Sequence, residues 1–309
     1  MQHWDPMALE CLAAIVETGG FEKAAQRLHV TQSAVSQRLR ALEEQAGSVL
    51  VVRSRPLRPT RAGQLLLKHA QQLRLLRADL ARDMQTLAPH TAGSGSGAGV
   101  GLAVAVNADS IATWALEALT PLVRAGIALE VITDDQDFTQ EWLRSGEVLG
   151  CVTTLRQPLQ GCRVQPLGAM RYLAVAAPEY AAAHLPQGLN AHNFHRVPFL
   201  CFNRKDDMQS EFVARLLGLS QVVLNSLYLP NSEAQVRAVE AGWGVGVLPE
   251  LLVRDRLSHG RLVDVAPGTM LSIDLYWHCW NLDSSLLRQL TDTLLQGAKV
   301  NLKDNCSER

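Results

Sequence analysis

The chain has 309 residues, 47% hydrophobic and 19% charged, with six cysteines and a net charge of −1. This composition excludes a disordered chain and a disulfide-held mini-scaffold, and the length predicts about two domains. The near-neutral total hides an uneven split: residues 1–90 carry 12 Lys+Arg against 8 Asp+Glu, net +4, leaving −5 for the remainder, which predicts an anionic partner for the basic part.

In that basic part apolar residues recur at helical spacing: Leu9, Leu12, Ala13 and Val16, then Phe21, Ala24, Ala25 and Leu28, then Val35, Leu39 and Leu42. Three short packed helices follow from this period. Gly19 and Gly20 stop the first, Thr31 is placed to cap the third, and the short turn His29-Val30 between the second and third is helix-turn-helix spacing. With Val35, Leu39 and Leu42 inward, the third helix turns Gln32, Ser33, Ser36, Gln37 and Arg40 outward. Gln can bond adenine and Arg guanine in a bidentate way, and Ser can meet bases or phosphates. After Gly47, the extended pair 49–53 and 58–60, broken by Pro56 and Pro59, resembles a wing. Arg suits phosphate contacts, which weaken with salt. The candidate DNA contacts are therefore Thr31, Gln32, Ser33, Ser36, Gln37, Arg38, Arg40, Arg53, Arg55 and Arg58, with Arg61 close by.

From 61 to 88 runs a polar, Leu-rich helical pattern in which Leu66, Leu73, Leu80 and Leu87 repeat every seven residues, joined by Ala70, Leu76 and Met84. A heptad seam of this length predicts a partner helix, with a helix lying along its own domain as the competing reading. Residues 91–99, Thr-Ala-Gly-Ser-Gly-Ser-Gly-Ala-Gly, read as a flexible linker.

Beyond the linker, strand signals at 102–106, 128–133, 148–153, 172–176, 197–202, 222–229, 245–248 and 273–279 alternate with helix signals at 110–124, 138–145, 210–217, 232–241 and 284–297. Such alternation predicts an α/β architecture with largely parallel strands, here as two lobes sharing a cleft. The domains expected are a helix-turn-helix with its wing at 1–60, a long helix at 61–90, a hinge at 91–99, an α/β domain at 100–300 and a polar tail at 301–309. Lobe I takes about 100–166 and 269–300, and lobe II about 167–268.

Ligands of open α/β sheets settle beyond the carboxyl ends of strands, often at helix N-termini. The residues so placed are Asn107, Asp109, Ser110, Asp134, Asp135, Thr153, Thr154, Phe202, Asn203, Asn231 and Ser232. Ser110 with nearby backbone N–H groups could hold a carboxylate, and Asp109, Asp134 and Asp135 could pair with a cationic tail. Helix caps and solvated surface acids explain the same residue types equally well, so both readings stay open for each one.

Other signals are weaker. Gly242-Trp-Gly-Val-Gly246 follows a helix and lacks the setting of a dinucleotide site. His192 and His195 have no evident further metal ligands, and the scattered cysteines show no C-x-x-C spacing. Cys151 and Cys162 could form a redox pair, but no cation adjoins Cys151 to activate it. No catalytic constellation, metal or cofactor is expected. No signal peptide or spanning segment is visible either, which makes the cytoplasm the expected location and no membrane an expected partner.

The run Phe21-Glu-Lys-Ala-Ala-Gln-Arg-Leu-His-Val-Thr-Gln-Ser-Ala-Val-Ser-Gln-Arg-Leu-Arg-Ala-Leu-Glu-Glu, followed by Pro59-Thr-Arg-Ala-Gly, resembles the winged helix-turn-helix of LysR-type transcriptional regulators. Asp134-Asp-Gln-Asp, Gly150-Cys-Val, Pro158-Leu-Gln-Gly-Cys-Arg, Met170-Arg-Tyr-Leu-Ala-Val, Phe202-Asn-Arg-Lys-Asp and Tyr276-Trp-His-Cys-Trp resemble its arginine/lysine-responsive subgroup, the ArgP and LysG regulators. Leu57 departs from the smaller residue expected in the wing. The resemblance implies an all-α winged helix-turn-helix and linker helix joined to a periplasmic-binding-protein-like effector domain of two α/β lobes, assembled as dimers or tetramers, so that the long helix at 61–90 serves dimerisation and the domain at 100–300 effector binding. It further implies promoter DNA and RNA polymerase as partners, L-lysine or L-arginine as effector, and control of basic amino acid export or metabolism genes. Two other classes stand beside it: an enzyme of amino acid metabolism using the α/β cleft, and a mainly architectural or replication-inhibiting DNA-binding protein without a ligand response.

Overall fold

The computed structural model describes residues 4–52, 54, 57–87, 101–134 and 139–303, with the backbone alone at 85–87 and 134. The expectations placed on Arg53, Arg55, Asp135 and the 91–99 linker lie outside these residues.

The N-terminal unit packs three helices, α1 (Pro6–Thr18), α2 (Phe21–Arg27) and α3 (Gln32–Ala46). Local chemistry sets each end. Asp5 caps α1 by accepting from the Met7 N–H at 3.0 Å with Pro6 in the first turn, and Gly19 closes it in the left-handed conformation. Thr31 caps α3 through its hydroxyl, which accepts from the Ala34 N–H at 3.2 Å. His29 turns the chain between α2 and α3 at φ 53°. Val35, Leu39 and Leu42 of α3 are buried with Leu9, Leu12 and Ile15 of α1, so the inward face is the one the apolar period predicts. The wing is a pair of two-residue strands, β1 (Val51–Val52) and β2 (Arg58–Pro59), antiparallel, with Leu57 half-buried against the helical core.

The long helix α4 (Arg61–Leu87) has 27 residues and spans about 40 Å. Its seam divides. Leu66 and Leu73 pack half-buried against the N-terminal core and Ala70 is buried there, whereas Leu76, Leu80 and Met84 are 41%, 62% and 55% exposed. Arg74 fixes α4 to α1, pairing with Glu10 at 2.6 Å and with Glu17. Farther along, α4 docks on the second unit: Gln71 donates to the Glu147 carbonyl at 3.4 Å, Arg82 to Gln289 at 3.4 Å, and Asp79 accepts from the Ser285 hydroxyl at 2.8 Å and the Leu286 N–H at 3.0 Å.

The second unit is built on one curled sheet of nine strands: β3 (Leu102–Asn107), β4 (Leu129–Asp134), β5 (Gly150–Thr153), β6 (Cys162–Ala176), β7 (Pro198–Cys201), β8 (Asn225–Tyr228), β9 (Val245–Pro249), β10 (Val263–Asp264) and β11 (Leu271–Trp280). The order is β4-β3-β5-β11-β6-β9-β7-β8, with β10 on the side of β6. The expectation of largely parallel strands needs correction: the sheet is mixed. Strands β4-β3-β5 and β9-β7-β8 are parallel sets, as helical crossovers require, but β6 and β11 run antiparallel to each other and to their outer neighbours β9 and β5. These two long strands join the two halves, with a register shift at Leu275/Tyr276 opposite Pro166–Gly168.

Helices α6 (Leu116–Arg124), α7 (Thr139–Ser145) and α12 (Ser285–Asn301) cover the half containing β3, and α8 (Pro178–His184), α9 (Met208–Leu217), α10 (Ser232–Glu240) and α11 (Glu250–Ser258) cover the half containing β7. After β3 the short α5 (Ala108–Ser110) passes directly into a π-helical turn, Ile111–Ala115, and then α6. Widened turns of this kind concentrate at functional sites. The main core runs through both halves and is rich in Trp114, Trp277, Trp280, Tyr172, Phe199 and Phe212, and a smaller separate cluster gathers Leu200, Val236, Val239 and Leu248 with Leu252 and Val253 of α11. Gly244 lets β9 begin against β7, because a Cβ there would collide with the Pro198 carbonyl; the 242–246 run is a tight passage into a strand.

Candidate functional site

Two regions gather the polar residues singled out above. On α3, Thr31, Gln32, Ser33, Gln37 and Arg40 are exposed and Ser36 is half-exposed. Arg40 pairs with Glu44 at 3.0 Å, one turn along the same face, and the Thr31 and Ser33 hydroxyls lie 3.0 Å apart. Arg58 is exposed on β2 and Arg61 on the first turn of α4. Arg38 does not join them: it is half-buried and lies back beside the Cys11 thiol of α1.

The second region is a crevice between the two halves of the sheet, where the chain leaves β3 on one side and β7 on the other. Asn107, Ala108, Asp109, Phe202, Asp206, Met208, Gln209, Gln235, Val247 and Leu248 line it. Asp109 sits at its centre, enclosed by protein while part of its surface stays open to the crevice. Its two oxygens accept from Ser232 Oγ at 2.6 Å and Tyr172 Oη at 2.9 Å, so a carboxylate of one half is tied by a hydroxyl of the other. Removal from water pushes the Asp109 carboxyl above its ordinary range; the Ser232 and Tyr172 hydroxyls pull it back, and the Asp206 charge adds a further upward push. Asp206 accepts from the Phe202 N–H at 2.7 Å, the Met208 N–H at 3.2 Å and Gln209 Nε2 at 3.1 Å.

Two carboxylates thus face one crevice, and among the described residues lining it none is Lys, Arg or His. Three buried acceptors close by have no partner: Asn107 Oδ1, Ser110 Oγ and Gln209 Oε1. Buried polar atoms without partners are uncommon and costly, and they mark places where a ligand can supply what the fold does not. The cavity is about 30 Å³, room for a water or two, so an amino acid does not fit in it as it stands.

The crevice brings together Asn107, Asp109, Phe202 and Ser232, with Ser110 just behind. It leaves out others. Asn231 is exposed and caps α10, its Oδ1 accepting from the Ala234 N–H at 2.8 Å, the plainer of its two readings. Thr153 is buried and donates to Gln140 Oε1 at 3.0 Å within its own half, and Thr154 follows it there. Asn203 turns its Oδ1 to the Lys205 N–H and lines a separate groove beside α7 and α4. The side chain of Asp134 lies outside the described residues; its backbone pairs with Asn107 at the ends of β4 and β3. Sequence reasoning missed Tyr172, Asp206, Gln209 and Gln235. Asp206 had the same signal as Asp109, an acid just past a strand, whereas Tyr172 lies inside a strand and the two glutamines lie on buried helix faces.

Among the described residues no group of three His, Cys, Asp or Glu side chains could hold a metal, and no helix is long and apolar enough to cross a membrane. His192 and His195 are exposed, and burial pushes the Cys151 and Cys162 thiols up.

Comparison with known proteins accords with this arrangement. Residues 7–64 match the model of the bacterial regulatory helix-turn-helix protein, lysR family, and residues 102–299 match the LysR substrate binding domain. The HTH-type transcriptional regulator ArgP of Aeromonas salmonicida is 40% identical over 296 residues, 96% of this chain and 97% of its own. The crystal structure of ArgP from Mycobacterium tuberculosis is similar with a TM-score of 0.83 at 39% identity, covering 98% of this chain and 100% of the other. Full-length LysG from Corynebacterium glutamicum with bound effector Arg is similar with a TM-score of 0.70 at 32% identity, covering 97% and 99%. A basic helix-turn-helix facing outward, joined by a long helix to a two-halved crevice and matched along nearly its whole length, makes this chain a member of the LysR family, a DNA-binding transcriptional regulator and not an enzyme.

Proposed function

We propose that the protein senses L-arginine or L-lysine in the crevice and controls promoters of basic amino acid export or metabolism genes. The observation that carries this reading is that Asp109 and Asp206 share a crevice in which no described lining residue is cationic. An uncompensated buried carboxylate is costly, and a cationic ligand relieves that cost. The similarity to a LysG bound to Arg supports the same ligand class. The Ser110 hydroxyl, buried and unpartnered, is placed to accept from the ammonium or, turned round, to donate to the carboxylate of an amino acid.

On DNA, Thr31, Gln32, Ser33, Ser36, Gln37 and Arg40 would read or brace the major groove, and Arg58 with Arg53 and Arg55 would hold the backbone. The exposed residues Leu76, Leu80 and Met84 of α4 would pair two copies, with tetramers formed from such dimers. RNA polymerase is the partner through which a regulator of this kind acts, in the cytoplasm. Because the cavity admits no amino acid as it stands, effector binding must change the spacing of the two halves, and a ligand shifts such an equilibrium only by its differential affinity for the two states.

The test is a titration of the gene's own upstream DNA at two salt concentrations, with and without each amino acid. Selective, salt-sensitive binding that changes with arginine or lysine is expected. Selective binding indifferent to both would refute the effector assignment, and binding without selectivity would refute the promoter reading.

A further inference from the structure

We infer that the crevice distinguishes arginine from lysine, and that Gln209, oriented by Asp206, is the residue that makes the distinction. This inference rests on the proposed basic amino acid effector and adds which cation the site is built for.

Gln209 is 3% exposed, on the first turn of α9. Its Nε2 donates to Asp206 Oδ2 at 3.1 Å, which fixes which end of the amide faces which way, and its Oε1 is left buried without a partner on the crevice wall. Across the crevice Asn107, 1% exposed, also presents an unpartnered Oδ1. The site therefore has neutral acceptors on both walls besides the charges of Asp109 and Asp206. Both carboxylates already accept from protein donors on each oxygen, so they supply field more than vacant lone pairs.

The two cations meet such a site differently. An ammonium is a compact point charge with three donors, and the carboxylate field satisfies it. A guanidinium is a flat fork with five N–H donors on several edges, able to reach acceptors on opposite walls at once. Gln209 Oε1 and Asn107 Oδ1, held on opposite walls, suit the fork. A compact ammonium spans less of the crevice than the fork does, and the penalty of an acceptor it leaves buried and unsatisfied sets the preference.

Calorimetric titration of the full-length protein tests this with L-arginine, L-lysine and L-citrulline, whose neutral ureido group replaces the guanidinium. The unmodified protein should bind arginine roughly tenfold more tightly than lysine, the order expected for one buried acceptor left unpaired, and citrulline most weakly. Gln209→Met should weaken arginine about tenfold and lysine less than about threefold, collapsing the ratio. A merely structural role for Gln209 would lower both alike, and that result overturns the inference. Lysine binding as tightly as arginine to the unmodified protein also overturns it, with no variant needed. Binding of neither amino acid removes the effector reading and this inference with it, whereas binding of both at equal strength removes the inference alone.

Discussion

Replacing Asp109 by Asn should separate two properties that usually fall together, effector binding and stability. In the ligand-free protein the carboxylate accepts from Ser232 and Tyr172, and no described residue lining the crevice is a cation. An amide of the same shape can accept from one hydroxyl and donate to the oxygen of the other, so no buried group is orphaned while the cost of burying a charge disappears. Ligand-free stability should hold or rise slightly. A bound cation near Asp109 would instead lose a Coulomb attraction of about 4 kcal/mol at 4 Å and an effective dielectric of 20. After partial screening and the neutral hydrogen bond that Asn retains, about 2–3 kcal/mol remains, roughly a 30- to 150-fold loss of affinity. The pH dependence has a definite sign. A carboxyl raised in the folded state favours folding at low pH, and that contribution is lost as pH rises through the raised value, because the unfolded chain gives up the proton more readily. The ligand-free protein should therefore be relatively destabilised by Asp109 toward neutral pH, and the melting shift produced by arginine should grow over the same window. Urea and thermal unfolding of both proteins from acid to neutral pH, with and without L-arginine, reads all of this. A ligand-free Asp109→Asn protein less stable by more than about 1 kcal/mol, the scale of one lost hydrogen bond, or one that keeps the full arginine shift, would refute the reasoning.

Leu80→Asp on the exposed seam should split the assembly and weaken promoter binding while changing the fold energy of one copy by no more than about 0.5 kcal/mol; an unchanged mass in sedimentation equilibrium would contradict the seam. Asp79→Ala should cost about 1–3 kcal/mol in urea unfolding, because it strips the acceptor from Ser285 and the Leu286 N–H at a buried helix start, and Asp79→Asn should recover most of the loss. Burial holds the Cys151 and Cys279 thiols up, so a thiol reagent at neutral pH should modify them only as the protein unfolds. Prompt modification of Cys151 in the folded protein, measured by mass spectrometry, would overturn that expectation.

The N-terminal unit was legible because its signals are local. An apolar face at Val35, Leu39 and Leu42, a cap at Thr31 and a stop at Gly19 each act within one or two turns of chain. The effector half was legible as alternating strands and helices but not in its strand directions, since antiparallel β6 and β11 pair residues about a hundred positions apart. The first part of β6 reads as a loop because Pro166 and Gly168 interrupt it, and both sit where the register with β11 shifts. α8 and α11 passed unread, the first with no buried residue and the second with only Leu252 and Val253 buried, which left a weak apolar period. At the crevice, Asp109 and Phe202 could be found from their place after a strand. Asn231 and Thr153 had the same place and turned elsewhere, because position after a strand fixes the neighbourhood of a residue and not the direction of its side chain. Tyr172 and Gln209 became visible only when long-range pairing brought their elements to the same opening.

Asp79 has a further consequence, for how the molecule comes apart. The Gly/Ser composition of 91–99 suggests two units that melt independently. Yet α4 contributes Leu67 and Ala70 to the core of the first unit, while its Leu75 is buried in the core of the second and its Asp79 accepts from the Ser285 hydroxyl and the Leu286 N–H at the start of α12, the first of them 206 positions along the chain. One helix is thus a structural member of two cores, and unravelling it exposes apolar surface in both. Heat should meet a single cooperative transition instead of two, and a fragment cut at the linker would lose the Asp79 bonds at the start of its last helix, leaving Ser284 alone to cap it, along with the DNA-binding head.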